Sequence, residues 1–218
     1  MGTAVVKNGN SRYATAADFR TVFAENRSSL YRLSLLLLRF DENIEQCIQL
    51  ALDECIETAS VFEPFAKSWA RRCTIRNAFQ LTDMRKEDSS LAVQTAQNDD
   101  GLDLDTWAVC KNIIALSGLQ RFVFVMSALE HYNDQECSIL LRCSRNDVCD
   151  ARARTWKSLE ETCGVNEKTC IASVQAWLTY GDRRPERGLK RAEDDMPNRV
   201  AAIHFHFGDR CPLAGESL

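Results

Sequence analysis

Six polar side chains in a short stretch of the C-terminal half are of the types that read or grip DNA. They are Arg145, Asn146, Cys149, Asp150, Arg154 and Lys157. Arginine can fork onto a guanine edge, asparagine onto adenine, and a carboxylate can accept from the amino group of cytosine. Arg154 and Lys157 are suited to phosphates, whose neutralisation supplies most of the affinity of a DNA-binding surface. These residues interleave with Val148, Ala151, Thr155 and Leu159, whose spacing of three and four places them on one face of a helix. The polar set therefore falls on the opposite face and its edges. Ser144 is placed to cap that helix, with Asp147 in its first turn favoured by the helix dipole. Upstream, Asn133 and Glu136 have the spacing of a capping box, so a shorter helix starts at Asp134 with Cys137, Leu140 and Leu141 inward. Arg142-Cys143-Ser144 is the corner between the two. A buried stripe backed by polar and basic residues is what a recognition helix in the major groove requires. Pattern alone leaves a plain antiparallel helix pair with a solvated outer face equally open.

Two further charged surfaces lie in the N-terminal half. "IEQCIQLALDECI" repeats apolar residues at Ile44, Cys47, Ile48, Ala51, Leu52 and Cys55. Its outer face is acidic and amide-rich, with Glu45, Gln46, Gln49, Asp53 and Glu54. "AKSWARRCTIRNAFQL" turns Trp69, Cys73 and Ile75 inward and sets Lys67, Arg71, Arg72 and Arg76 on a basic edge, with Asn77 beside them.

Other chemistry finds less support. His204, His206 and Cys211 match no standard zinc spacing, so no metal or cofactor is expected. Cys137, Cys143 and Cys149 recur every six residues across two helices and are expected to pack inward. There is no glycine-rich phosphate loop and no nucleophile elbow, and only three histidines, so an enzyme is not expected. Ten cysteines in 218 residues are too few for a disulfide scaffold. Many, such as Cys47, Cys55, Cys73 and Cys137, stand where a helix would place alanine, as free buried thiols do. That reading implies a reducing, cytoplasmic setting. No signal peptide is apparent at the N-terminus. The most apolar run, "LYRLSLLLLRF", is interrupted by Arg32 and Arg39. It falls short of the about 20 residues of a membrane span and reads as a buried helix, so no membrane partner is expected. The net charge is −4, whereas a protein that holds DNA unaided usually has a basic excess.

These elements imply an all-α chain of two small helical domains joined by an acidic linker, the second containing a helix-turn-helix. Residues 1–17 read as a flexible tail, 18–86 as the first helical domain and 87–106 as the linker. Residues 107–162 read as the helix-turn-helix domain and 163–218 as a partly disordered extension. Between 82 and 106, two basic residues stand against seven acidic ones, a net −5. "LQRFVFVMSALEHY" has strand-like composition, but its place just before two evident helices favours a buried central helix. "NEKTCIASVQAWLTY" reads as one more helix.

"LQRFVFVMSALEHYNDQECSILLRCSRNDVCDARARTWKSL" resembles region 4 of bacterial RNA polymerase sigma factors of the sigma-70 family, extracytoplasmic-function type. "LYRLSLLLLRFDENIEQCIQLALDECI" with the later "SWARRCTIRNAF" resembles their region 2. The two matches are in the family's order and cover roughly 18–86 and 107–160. The resemblance implies that Glu45, Gln46, Gln49, Asp53 and Glu54 face core RNA polymerase. It implies that Arg71, Arg72, Arg76 and Asn77 meet single-stranded DNA of the −10 element, and that the helix from Arg145 reads the −35 major groove. In the family the linker runs through the RNA exit path, where negative charge can imitate RNA. The implied partners are core polymerase and promoter DNA, with an anti-sigma factor as a further candidate, and a monomer when free. The chain departs from the family where many relatives have Thr-Val-Lys-Ser-Arg in the recognition helix and Asp147-Val148-Cys149-Asp150-Ala151 stands instead. It departs again where Asn77 is followed only later by Asp83-Met84-Arg85. A stand-alone helix-turn-helix regulator, and a degenerate polymerase-interaction bundle that does not read DNA, are the alternatives.

Overall fold

The longest leucine run sets the architecture. In the computed structural model, which describes residues 12–39, 43–58, 60–82 and 104–180, this run forms helix α2 (Arg27–Leu38). Leu33, Leu35, Leu36, Leu37 and Leu38 are all buried, as are Ser29, Leu30, Arg32 and Ser34. A helix apolar on every side must be surrounded. Three helices enclose it from the N-terminal side: α1 (Ala16–Glu25), α3 (Ile44–Glu57) and α4 (Ala66–Leu81). From the other side it meets α5 (Leu104–Ala115), α6 (Gly118–Phe124) and α9 (Glu167–Thr179). The pair α7 (Asp134–Leu141) and α8 (Arg145–Cys163) completes the chain order before α9, and α8 packs on α5 and α6. Among the described residues the regular structure is helical, apart from one isolated bridge between Tyr13 and Phe62. The chain is all-α.

Two apolar clusters fill the interior. Phe19, Phe23, Leu30, Ala51, Cys55, Ala66, Ala70 and Cys73 join α1, α3 and α4. The second cluster runs without interruption from Leu33–Leu38, Cys47, Ile75 and Ala78 into Ile113, Phe122, Met126, Val148, Leu159 and Trp177. The segments expected as two domains thus share a core, and the described helices belong to one compact unit. The reason is α2, whose second apolar face has no other cover. Residues 12–17, expected in a tail, are held too: the Ala14 amide donates to the Val61 carbonyl at 2.7 Å, and Arg12 pairs with Asp18 and Glu63. Helix α5 begins inside the expected linker. The expectations for residues 1–11, the linker before Leu104, and His204, His206 and Cys211 lie outside the described residues.

Two buried arginines, 32 and 121, tie the halves together. Arg121 is wholly buried; its guanidinium donates to the Leu37 carbonyl (3.3 and 3.1 Å) and to the Leu116 carbonyl (2.8 Å). Those carbonyls close the C-terminal ends of α2 and α5, where the helix dipole favours a cation. Arg32 donates to the Trp177 carbonyl at 3.2 Å and lies over the rings of Trp177 and Tyr180.

After α6 the chain makes a π-turn over Val125–Leu129, nearly all of it buried, with the Glu130 amide donating to the Val125 carbonyl at 3.1 Å. Such single turns re-aim the residues that follow. His131 then takes a positive φ of 59°, uncommon for a residue other than glycine. The corner it makes turns Glu130 and Tyr132 toward α4.

Candidate nucleic-acid interface

Helix α8 is fixed at its start by the residues the sequence singles out, with one addition. The Ser144 hydroxyl accepts from the Asp147 amide at 3.1 Å, and the Asp147 carboxylate accepts from the Ser144 amide at 2.9 Å. Asp147 is therefore half of a reciprocal capping box, and its bonds to Ser144 hold its carboxyl below the usual range. Helix α7 opens with the same device: Glu136 donates its amide to Asn133 at 3.0 Å, and the Asn133 amide returns a bond at 2.9 Å. Between them Arg142 takes a left-handed conformation, φ 51°, closing α7.

Val148, Ala151, Thr155 and Leu159 are buried, and Trp156 meets Phe124 edge-on with ring centroids 5.5 Å apart. Consequently Arg145, Asn146, Asp150, Arg154 and Lys157 are exposed, as expected of this face, and so is Cys149. Arg145 is steered by Gln135 of α7, and Arg152 pairs with Asp134. Cys149 donates to Asp134 at 3.4 Å. Lys157 lies 4.0 Å from Glu161, and both are well exposed, so solvent screens that contact. Of the three cysteines expected to pack inward, only Cys137 does; Cys143 is half-buried and Cys149 exposed. A six-residue repeat cannot keep one helical face.

The acidic face of α3 divides. Glu45, Gln46, Gln49 and Asp53 are exposed beside Leu50, itself 39% exposed. Gln49 donates to Asp53 at 2.9 Å, and Glu45 meets Arg27 at 3.3 Å. Glu54 is different. It turns toward α4, pairs with Arg76, and accepts from Asn77 at 2.7 Å.

The basic edge of α4 is also less free than its sequence suggests. Asn77 is buried, and its amide donates to Glu54 and to the Cys73 carbonyl at 2.9 Å. Arg71 is mostly covered; it pairs with Glu130 and donates to the Ser29 hydroxyl at 3.1 Å. Arg72 lies 5.7 Å from the Trp69 ring and 5.9 Å from the Tyr132 ring. Of the four residues expected to meet single-stranded DNA, only Arg72 is exposed. Glu130 and Tyr132, missed by the sequence reading, carry no periodic signal that could have paired them with residues some 60 positions earlier.

Among the described residues no group of three His, Cys, Asp or Glu is placed to hold a metal ion, and no helix is long and apolar enough to cross a membrane. No protein-family model, curated protein or solved structure matches the chain.

Proposed function

We propose that the chain is a sigma-like transcription initiation factor that binds core RNA polymerase and gives it promoter recognition. The observation that carries the reading is α8. Its buried stripe leaves one solvent face bearing arginine, asparagine, aspartate and lysine, on a helix capped at its start and pinned by Asp134 and Gln135 of α7. Such a face suits major-groove readout, with Arg145 and Asn146 near the helix start for base edges and Arg154 and Lys157 for phosphates. The exposed part of the α3 surface, Glu45 to Asp53 around Leu50, suits a protein partner. Association with polymerase also answers the charge problem, because docking two weak DNA-binding surfaces on one large partner raises the effective concentration of each without any new contact.

Fluorescence anisotropy on a labelled promoter, with and without core polymerase, tests the proposal. Free protein should bind duplex weakly and the reconstituted holoenzyme clearly. Tight sequence-specific binding by the free protein, unchanged by polymerase, would instead establish the stand-alone regulator. One observation favours the bundle that binds polymerase without reading DNA: Arg71, Arg76 and Asn77 are already engaged within the protein. In that case the holoenzyme would form and gain no promoter preference.

A further inference from the structure

The corner after the π-turn presents to α4 two groups that resemble a nucleic acid in their chemistry. Glu130 sets a carboxylate against the Arg71 guanidinium, with bonds from Nη2 and from Nε at 2.8 Å, as a phosphate oxygen would stand. Tyr132 sets an aromatic ring 5.9 Å from the Arg72 guanidinium, which also lies 5.7 Å from the Trp69 ring, in the place a stacked base would take. Both contacts join residues about 60 positions apart in sequence, so they form only when the two halves are packed together.

The space around this contact gives the Glu130 carboxylate room to turn. Glu130 lines two clefts, one of about 250 Å³ beside Trp69, Arg72 and Tyr132, the other of about 540 Å³ beside Lys67, Ser29 and Gln175. A carboxylate with open space on both sides can swing away by side-chain rotation without disturbing the shared core. The same opening would uncover Arg71 next to exposed Lys67 and Arg72. Three cations would then line one edge of α4.

We infer that the Glu130–Tyr132 corner is an autoinhibitory latch, an internal stand-in for single-stranded nucleic acid that competes with it for Arg71 and Arg72. This rests on the reading of α4 as a single-strand surface. While the latch is closed, apparent affinity for a single strand is reduced by the fraction of molecules in which it is open. A partner that engages either half and draws the corner off α4 would switch the surface on.

The test uses the full-length chain and Glu130→Gln, which keeps the side-chain size and removes the competing charge; Glu130→Ala serves as a second variant should the first fold poorly by circular dichroism. Two readings are taken. Phenylglyoxal modification of Arg71, located by mass spectrometry, reports the latch without any DNA. Anisotropy of a fluorescein-labelled single-stranded oligonucleotide at low salt reports the surface. The latch predicts faster modification of Arg71 in the variant. It also predicts oligonucleotide binding tighter by about tenfold, the factor expected from losing one charge-assisted competing bond. The log–log salt slope should steepen by about 0.7, one phosphate contact on a single strand. Unchanged Arg71 reactivity in a folded variant overturns the latch. Raised reactivity with no gain in oligonucleotide binding overturns the competition and the single-strand reading of α4 beneath it.

Discussion

Arg121 is the residue whose replacement should be felt most. Its side chain is fully buried and bonds two carbonyl oxygens, of Leu37 and Leu116, that end different helices from opposite halves of the protein. Replacing it with methionine keeps much of the volume and removes the cation. The two carbonyls would then lie in an apolar interior with those bonds gone, at about 1–3 kcal/mol for each carbonyl left unpaired. Loss of a cation at two helix C-termini adds roughly 0.3–1 kcal/mol apiece. Against this stands the relief of no longer burying a charge, an effective penalty of several kcal/mol. The losses should still win, because the carbonyls cannot turn to water: Leu37 is wholly buried and Leu116 only 6% exposed. We expect a net destabilisation of about 2–4 kcal/mol, within the range reserved for broken buried networks. Urea unfolding followed by circular dichroism should show a lower midpoint with a similar slope. The melting temperature should fall by about 5–15 °C for a unit of this size. Arg121→Lys, which keeps the charge but not the fork, should fall between the two. A change in stability within about 0.5 kcal/mol for Arg121→Met, the level of an ordinary surface substitution, would refute the assignment of Arg121 as the joint between the halves.

Other consequences are open to direct measurement. Because α2 contributes to one continuous core with α5, α6 and α9, calorimetry should give a single transition whose calorimetric and van't Hoff enthalpies agree, not two. Charge reversal at Glu45 and Asp53 should reduce capture of core polymerase while leaving stability within about 0.5 kcal/mol; Glu54→Lys should destabilise the fold itself, since it removes the partner of Arg76 and Asn77. Burial pushes the thiols of Cys47 and Cys137 up to about 11 and those of Cys110 and Cys170 up to about 12. The unfolded chain therefore loses these protons first, near pH 9, so the melting temperature should be steady below that and drop as pH rises toward 11–12. Cys110→Ala should flatten that drop. At pH 8, alkylation followed by mass spectrometry should find Cys149 modified well before these four, which should react only on unfolding.

The parts of the structure that are legible in the sequence are those written in local spacing. Asn133 with Glu136 and Ser144 before the α8 stripe are short-range hydrogen-bond patterns, and the stripe itself is a matter of period. Both survive any tertiary arrangement, which is why the outward set on α8 could be named without coordinates. What escapes is the partner chosen across the fold. Glu54 sits three residues after Ala51 and one before Cys55, so the helical wheel places it at the margin of the apolar face. Only the approach of Arg76 and Asn77 from α4 decides that it turns inward. Arg71 reads as a solvent-facing basic residue because a lone charge is rarely buried. It is covered because the Glu130 carboxylate, 59 positions away, meets it, and Arg121 is buried because the end of α2, 84 positions away, and the nearby end of α5 converge on it. The separation into two domains fails for a related reason. An acidic linker marks a break in the chain, whereas the second apolar face of α2 decides whether the break is also a break in the core.

That shared core changes the weight of the electrostatic argument. From Trp107 to Cys163 the sequence counts seven basic and seven acidic residues, which would leave the α5–α8 surface neutral. Arg121 is buried, so only six of those basic residues can face a ligand. Arg152 is committed to Asp134, and Lys157 has Glu161 nearby. The cations on α8 without an ion pair among the described residues are then Arg145 and Arg154, with Asp150 on the same exposed face. So small a set can discriminate base edges and phosphate positions, yet it releases few counterions and cannot hold duplex DNA firmly at physiological salt. Lowering the salt would strengthen even a weak phosphate contact, so the telling comparison is between sequences at fixed salt. A surface of this kind, attached to a partner that supplies the affinity, should distinguish promoters by ratios that survive when the overall binding is weak. Arg154→Ala with Lys157→Ala should then weaken holoenzyme binding to all promoters alike, whereas Asn146→Ala should change their order. If both substitutions leave promoter binding and its order untouched, α8 is not the reader.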